Sequence, residues 1–245
     1  MSNNRYILYL CFLLIGFACD NGVIEESVTG QGKLNLSLSS ENVNNFVPVI
    51  TKSGEEKVSS DSMKVSILNS KGELVAEFDS FKEMKENKGE GLPMTLPVGT
   101  YVVKAWYDNA GEPSKVPYLY GEQVFDITYN TLTRVNLICE YQCIKVMLQT
   151  APAFDAICKD TYKVRLTTSE NETVELDKEN YWIFFRKPCD TMQAWVDVET
   201  VDGRSISFSY DLEKKDSEPF QWKNSIIIKL DIQNTKSLNL ETEIL

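Results

Sequence analysis

The acidic side chains have the clearest potential for catalysis, and they cluster in two charged stretches. They are Glu83, Glu86 and Glu90 in the first stretch, and Glu170, Glu172, Glu175 and Asp177 in the second. Two carboxylates can serve as the acid and the nucleophile or base of a glycoside hydrolase. The chain of 245 residues contains no histidine, which removes Ser-His-Asp and Cys-His pairs and the usual general base near neutral pH. No spacing selects one carboxylate pair, so we expect solvated loops, no catalytic residue and no enzyme. A carboxylate-dependent glycoside hydrolase remains the less favoured alternative.

Two tryptophans are the best candidates for ligand binding. Trp106 alternates with Lys104 and Asp108 on the polar face of a predicted strand, and Trp195 lies on the polar face of an equivalent strand. An exposed aromatic ring beside hydrogen-bonding groups suits the apolar face and the hydroxyls of a sugar. We therefore predict a ligand site at these four residues. The alternative is that each tryptophan packs under a loop or against a neighbouring domain.

Four cysteines beyond the N-terminal region are disulfide candidates, namely Cys139, Cys143, Cys158 and Cys189. The first two are four residues apart in an extended stretch, or roughly 13 Å, which is beyond disulfide reach. Two connectivities remain, each joining this segment to the other two cysteines, and an oxidising envelope would allow them. Buried free thiols are an equal alternative. The spacing lacks the paired C-x2-C motifs of a zinc site, and no calcium-loop pattern occurs, so we expect no metal and no other cofactor.

The N-terminus has the pattern of an export signal. Arg5 precedes thirteen apolar or small residues, 6–18, which are too few to cross ~30 Å of hydrocarbon but fit a signal-peptide core. Ala18 followed by Cys19 resembles a bacterial lipoprotein cleavage box. This predicts a lipoprotein signal peptide at 1–18, lipid attachment at Cys19 and a flexible tether at 19–31. Plain secretion with cleavage nearby is the alternative.

The stretch Leu96–Tyr107 organises the predicted fold. Pro97 and Gly99 mark a turn, and the period-two alternation that follows is typical of a half-buried antiparallel strand. Pro188 begins a similar stretch 91 residues later, and the alternation at 135–139 recurs at 226–230 with the same interval. We therefore predict an all-β fold of two tandem immunoglobulin-like or transthyretin-like antiparallel β-sandwiches, at residues 32–140 and 141–234. Residues 235–245 are predicted to be a tail or an edge strand.

Two strand motifs carry a family resemblance. The pattern G-x-L-x-L-x-L at Gly32–Leu38 and L-P-V-G-T-Y at Leu96–Tyr101, after the lipoprotein-like N-terminus, resemble a family of Bacteroidota cell-envelope lipoproteins. The family is catalogued as domain of unknown function 4493. The resemblance implies an outer-membrane lipoprotein exposed at the cell surface, and it transfers no reaction and no catalytic residues. Asp190 stands where the family has a glycine.

These observations favour a non-enzymatic envelope lipoprotein. We expect a membrane anchor through the N-terminal lipid and a role in adhesion or in binding a polysaccharide or another host or bacterial surface ligand. The net charge of −11, with scattered lysines, argues against a nucleic-acid partner. The main rival is a fimbrillin-like subunit or accessory whose residues 236–245 act as a donor strand. The fimbrillin resemblance implies proteolysis after an early arginine, whereas the first arginine after Cys19 is Arg134, within a predicted strand.

Overall fold

The computed structural model describes residues 30–41, 58–108, 111–212, 214, 218–232 and 238–244. Cys19, the signal peptide and most of the tether lie outside the described residues. In the first half the strands are β1 Gln31–Ser40, β2 Lys64–Asn69, β3 Leu74–Phe78, β4 Met94–Pro97, β5 Gly99–Tyr107, β6 Leu119–Ile127 and β7 Leu132–Tyr141. In the second half they are β8 Ile144–Thr150, β9 Lys163–Thr168, β10 Thr173–Leu176, β11 Trp182–Phe185, β12 Met192–Glu199, β13 Ser205–Leu212, β14 Ser225–Ile232 and β15 Leu238–Ile244.

Two short helices and one helical turn complete the described elements. The turn spans Ser60–Ser62. Helix α1, Phe81–Glu86, begins where the Ser80 hydroxyl accepts a hydrogen bond from the Glu83 amide at 3.1 Å, and it buries Phe81 and Met84. Helix α2, Pro152–Ile157, has a proline in its first turn and buries Phe154. Within the described residues, no helix has the length and the apolar character that a membrane span needs.

The two halves of the chain use the same strand order. The first sheet runs β3-β2-β5-β6-β7-β1-β4, and the second half has two sheets, β10-β9-β12-β13 and β11-β8-β14-β15. Each of β8 to β14 therefore takes the place that β1 to β7 take in the first half. The ends of the two halves differ. Strand β6 pairs with β7 at two positions, whereas β14 pairs along its outer edge with the additional strand β15.

The predicted all-β class is confirmed, with one difference in strand direction. Burial alternates along β1, where Leu34, Leu36 and Leu38 face the core, as period-two patterning requires. Two neighbouring pairs, β1–β7 and β8–β14, are parallel rather than antiparallel. In each half the chain forms the intervening strands before its seventh strand returns beside the first in the same direction, so this pair is parallel.

Each half has its own hydrophobic core. The first core draws on residues 34–139 and the second on residues 144–230. A small third cluster of Cys143 and Phe184, with Tyr141 and Trp182 packed against it, lies where the halves meet. We call this junction the seam.

The structure does not contain the predicted disulfides, because all four candidate cysteines are buried free thiols. Both possible connectivities required Cys139 to reach Cys158 or Cys189. Cys139 lies in the first core and the other two lie in the second core. Separate cores therefore keep these sulfur atoms apart.

Candidate functional site

Strand β12 presents Trp195 at the centre of an outward-facing sheet surface. Ala194 and Val196 are fully buried beneath it, so the alternate residues Gln193, Trp195 and Asp197 face outward. Trp195 is 46% exposed. A large aromatic ring with this exposure on a regular strand is available to a ligand.

The neighbouring strands surround Trp195 with polar side chains. Arg165 of β9 and Ser209 of β13 are its direct cross-strand partners. We define the Trp195 face as the outward side chains of β9, β12 and β13 that lie nearest to this ring, which are Arg165, Thr167, Gln193, Trp195, Asp197, Ser207, Ser209 and Asp211. The arrangement is one aromatic ring on a polar sheet surface, with donors and acceptors on every side.

Hydrogen bonds hold the Trp195 ring in place. Its Nε1 donates to Gln193 Oε1 at 2.8 Å, and Gln193 Nε2 donates to Asp211 Oδ1 at 2.8 Å. On the other side, the Ser207 hydroxyl donates to Asp197 Oδ1 at 2.5 Å. Because both ends of the Gln193 amide are engaged, the indole orientation is fixed before any ligand arrives. Such preorganisation lowers the entropic cost of binding.

Trp106 occupies the equivalent position on β5 but is partly buried. Its cross-strand partners are the long side chains of Lys64 and Tyr120. The Tyr120 hydroxyl donates to Glu122 at 2.5 Å, and burial together with that carboxylate raises the pKa of Tyr120. Lys104 Nζ lies 3.7 Å from the same Glu122. The first half therefore offers a partly covered ring among paired side chains.

Asp108 does not belong to a ligand face, which corrects its predicted role. Strand β5 ends at Tyr107, and Asp108 has a φ of 64°, so the alternation along the strand stops at this residue. Its carboxylate accepts a hydrogen bond from Nη2 of Arg186 in the second half. The side chain of Arg186 is 1% exposed and that of Asp108 is 26% exposed. Asp108 therefore contributes to the seam.

The seam contains a second set of contacts that the sequence does not predict. Ser114, between β5 and β6, forms a single β-bridge to the edge of β11, where Ser114 and Phe184 exchange two main-chain hydrogen bonds of 2.9 Å. Lys115 donates to the Trp182 carbonyl and lies 4.9 Å from the centre of that ring, and burial lowers its pKa. The only hint in the sequence is a basic residue, Arg186, directly after the apolar strand β11.

A lysine adds a further link across the seam. Lys223 Nζ lies 2.9 Å from a carboxylate oxygen of Glu41 and 2.9 Å from one of Glu140. The hydrogen bond to Glu140 is the largest of the effects that raise the pKa of Lys223. The cation belongs to the second half of the chain and both acids to the first, so the bridge connects the halves.

The acidic side chains considered for catalysis mostly have structural partners. Glu83 Oε2 accepts from the Asp79 amide at 3.1 Å, and Glu175 pairs with Lys163 at 2.6 Å. Glu172 is buried and lies 3.2 Å from Lys187 Nζ. Asp177 accepts two main-chain hydrogen bonds, which lower its pKa. Within the described ranges no group of three His, Cys, Asp or Glu side chains could hold a metal ion.

Comparison with known proteins assigns a family model to nearly all of the described chain. The model described as Domain of unknown function (DUF4493) matches residues 30–244. No curated protein matches the chain.

One solved structure shares the fold of this chain at low sequence identity, and two others resemble it less closely. A fimbrial assembly protein from Parabacteroides distasonis has a TM-score of 0.52 at 12% identity, and the match covers 89% of this chain and 98% of that one. The fimbrial anchor protein Mfa2 from Porphyromonas gingivalis has a TM-score of 0.45 at 12% identity, covering 87% and 97%. A candidate cell adhesion protein from Bacteroides uniformis has a TM-score of 0.46 at 10% identity, covering 76% and 91%.

Proposed function

Since this chain belongs to the family described as Domain of unknown function (DUF4493), which carries no activity with it, we propose a function from the Trp195 face. The protein is a non-enzymatic envelope protein that binds a glycan of a cell surface or of the surroundings. The observation that carries this proposal is a tryptophan 46% exposed and held by hydrogen bonds on a polar sheet surface.

The chemistry of the face matches a carbohydrate better than a charged or purely apolar ligand. The indole surface can cover the C–H face of a sugar ring, while Arg165 and Asp197 supply a donor and an acceptor for ring hydroxyls. The face carries both signs of charge, so no strong field selects an anion or a cation. A sheet surface without walls favours an extended polysaccharide over a small enclosed sugar.

Glycan binding is tested by replacing Trp195 with alanine and measuring affinity for a panel of soluble polysaccharides by affinity electrophoresis. We expect binding by the unchanged protein, with a shift in tryptophan fluorescence. Trp195→Ala should weaken binding about 3- to 30-fold, because it removes the stacking surface. The matched control is Trp222→Ala. Trp222 is similarly exposed, at 44%, but it lies outside the Trp195 face, where its Nε1 donates to the Arg186 carbonyl. No binding to any polysaccharide, or equal losses in both variants, would contradict the proposal.

Attachment to the membrane through Cys19 is the second part of the proposal. The apolar run and Ala18–Cys19 in the sequence support it. Several acyl chains on one residue would anchor the protein stably, and residues 19–31 would separate the folded part from the membrane. Metabolic labelling with a fatty-acid probe should mark the unchanged protein and not Cys19→Ala. Equal labelling and fractionation of both would show that the lipid attachment is assigned wrongly.

A fimbrial role is the alternative, and one structural observation limits it. Strand β15 pairs with β14 over seven positions from Ile226–Ile244 to Ile232–Leu238. A C-terminal segment held in its own sheet must first detach before it can serve as a donor strand for another subunit. The structure therefore favours a terminal or accessory component over a polymerising subunit.

A further inference from the structure

Strand β13 lies at the edge of its sheet, whereas the corresponding strand of the first half, β6, has a neighbour on each side. In the described part of the chain β13 pairs only with β12, from Met192–Leu212 to Glu199–Ser205. The corresponding strand β6 pairs with β5 and also with β7. The described part of the second half thus leaves this whole strand edge open, whereas the first half pairs the corresponding edge at two positions.

The hairpin before β13 shows which main-chain groups point away from the sheet. The Thr200 amide donates to the Arg204 carbonyl at 2.8 Å, and the same register continues along both strands. Alternate residues of an antiparallel pair bond to the same neighbour, so the even-numbered residues of β13 face β12. The N–H and C=O groups of Ser205, Ser207, Ser209 and Asp211 consequently face the free edge.

The core-facing side of β13 is also uncovered. Ile206, Phe208 and Tyr210 lie opposite residues 194–198 of β12, whose inward side chains are fully buried. Ile206 is nevertheless 36% exposed and Tyr210 is 41% exposed, while Phe208 is partly buried against the second core. An apolar row along an open strand edge is the kind of surface that another strand covers.

The strand lacks the features that usually prevent edge pairing. Between Ser205 and Leu212 there is no proline and no lysine, and Asp211 is its single charge. An antiparallel copy of this strand placed symmetrically about Phe208 sets Ser205 opposite Asp211 and Ser207 opposite Ser209. The one acidic side chain then faces a serine next to the Arg204 of the other copy, and no like charges are opposed.

We propose that β13 pairs antiparallel with β13 of a second copy of this chain, about a two-fold axis at Phe208. The pairing gives about eight main-chain hydrogen bonds, two from each pair of outward-facing residues. It also sets Ile206 against Tyr210 and Phe208 against Phe208 on the core side. Each position of the strand finds a compatible partner in the same sequence, which is why a second copy is the occupant.

The dimer joins two four-stranded sheets into one sheet of eight strands. The two Trp195 side chains then lie on the same outer surface, three strand spacings or ~14 Å apart across the sheet. The pairing does not depend on the identity of the ligand.

Self-association is tested on the detergent-solubilised full-length protein, with micelles in large excess, by sedimentation velocity over a range of concentrations. We expect a reversible dimer. Ser207→Pro should weaken it by about 30-fold, because proline removes an edge N–H at two symmetric positions and leaves the bonds to β12 intact. Ser207→Ala is the matched control, since it also loses the bond to Asp197 but keeps the main-chain donor, and it should remain a dimer.

Cysteine cross-linking tests the register independently. In the proposed pairing the two copies of residue 208 lie directly opposite, at a Cα separation of ~4.5 Å, whereas the two copies of residue 207 lie ~8 Å apart on a diagonal. Phe208→Cys should therefore form an intermolecular disulfide and Ser207→Cys should not.

Three results would overturn the proposal. They are a monomer at all concentrations up to ~100 μM, a Ser207→Pro variant that dimerises like the unchanged protein, and stronger cross-linking at 207 than at 208. If Ser207→Pro lowered the melting temperature of a protein that is always monomeric, the edge would be covered by this chain itself.

Discussion

At the scale of single residues, two tryptophans in equivalent strands acquire different properties from their neighbours. Opposite Trp195 on one side is Ser209, whose small side chain leaves the ring open. Opposite Trp106 are Lys64 and Tyr120, which are long enough to cover part of it. Exposure of an aromatic residue is therefore set by cross-strand partners, and these follow from register.

The buried thiols provide a prediction at the same scale. Burial raises the pKa of Cys139, Cys143 and Cys189 to about 12 from an ordinary value of 9.0. The native protein should therefore resist iodoacetamide at pH 8, and Cys139, Cys143, Cys158 and Cys189 should all react in guanidinium without a reductant, as counted by mass spectrometry. Failure of these thiols to react after unfolding would show that they are oxidised.

The raised thiol pKa values also have a consequence for stability. The folded state holds these protons more tightly than the unfolded chain does. The stabilisation of the folded state that results is complete below pH 9 and is lost as the pH rises through about 12. Unfolding in guanidinium at rising pH should show this decline.

At the scale of elements, the second half differs from the first in how its last strands pair. Strand β14 has β15 along its outer edge, where β7 has only a short pairing with β6. Strand β15 takes the edge of β14 that the counterpart of β6 would occupy, and among the described residues β13 has no second neighbour. One sheet thus has a closed edge and the other an open edge.

Deleting residues 236–245 should destabilise the protein by about 3 kcal/mol, because it removes the main-chain pairing along β14. The control is Glu243→Ala, which removes only the 2.8 Å ion pair with Lys229 and should have a small effect. Chemical denaturation measures both. Ladders resistant to SDS in cell extracts, lost on the same deletion, would instead support a donor strand and the fimbrial alternative.

At the scale of the whole molecule, contacts from both halves meet at the seam. Arg186 with Asp108, Ser114 with Phe184, and Lys223 with Glu41 lie at separate points along it. A buried guanidinium depends on its partner, since an unpaired charge in a dry site is costly. The halves should therefore unfold together.

Asp108→Ala should lower the stability of the whole protein by about 2–4 kcal/mol. This is less than the loss expected for a fully buried ion pair, because the Asp108 side chain is 26% exposed. Asp79→Ala is the matched control. This variant breaks the 3.3 Å ion pair between Asp79 and Lys64. Because the Asp79 side chain is 90% exposed, the loss of stability should be less than about 1 kcal/mol. Calorimetry should show one transition in the unchanged protein and two in Asp108→Ala. Equal melting temperatures for the two variants would contradict a stabilising seam.

The sequence by itself was sufficient for the fold class, the family and most of the strands. Period-two alternation identifies β1 and β5 because one face of each strand must be apolar, and this requirement is local. The repeat of 91 residues predicted two similar halves, whose strand orders are indeed the same. Helix α2 was missed because six residues are too few for a helical period to be recognised.

Tertiary structure decided the direction of β7 and β14, the place of Asp108 and the state of the cysteines. These depend on residues far apart in the chain, such as Arg186, 78 positions beyond Asp108. The alternation placed Asp108 beside Trp106, but a left-handed backbone turn at the strand end directs it to the seam. Local patterning determines which side of a strand is buried, whereas the partner of an exposed or charged side chain is determined only when distant segments come together.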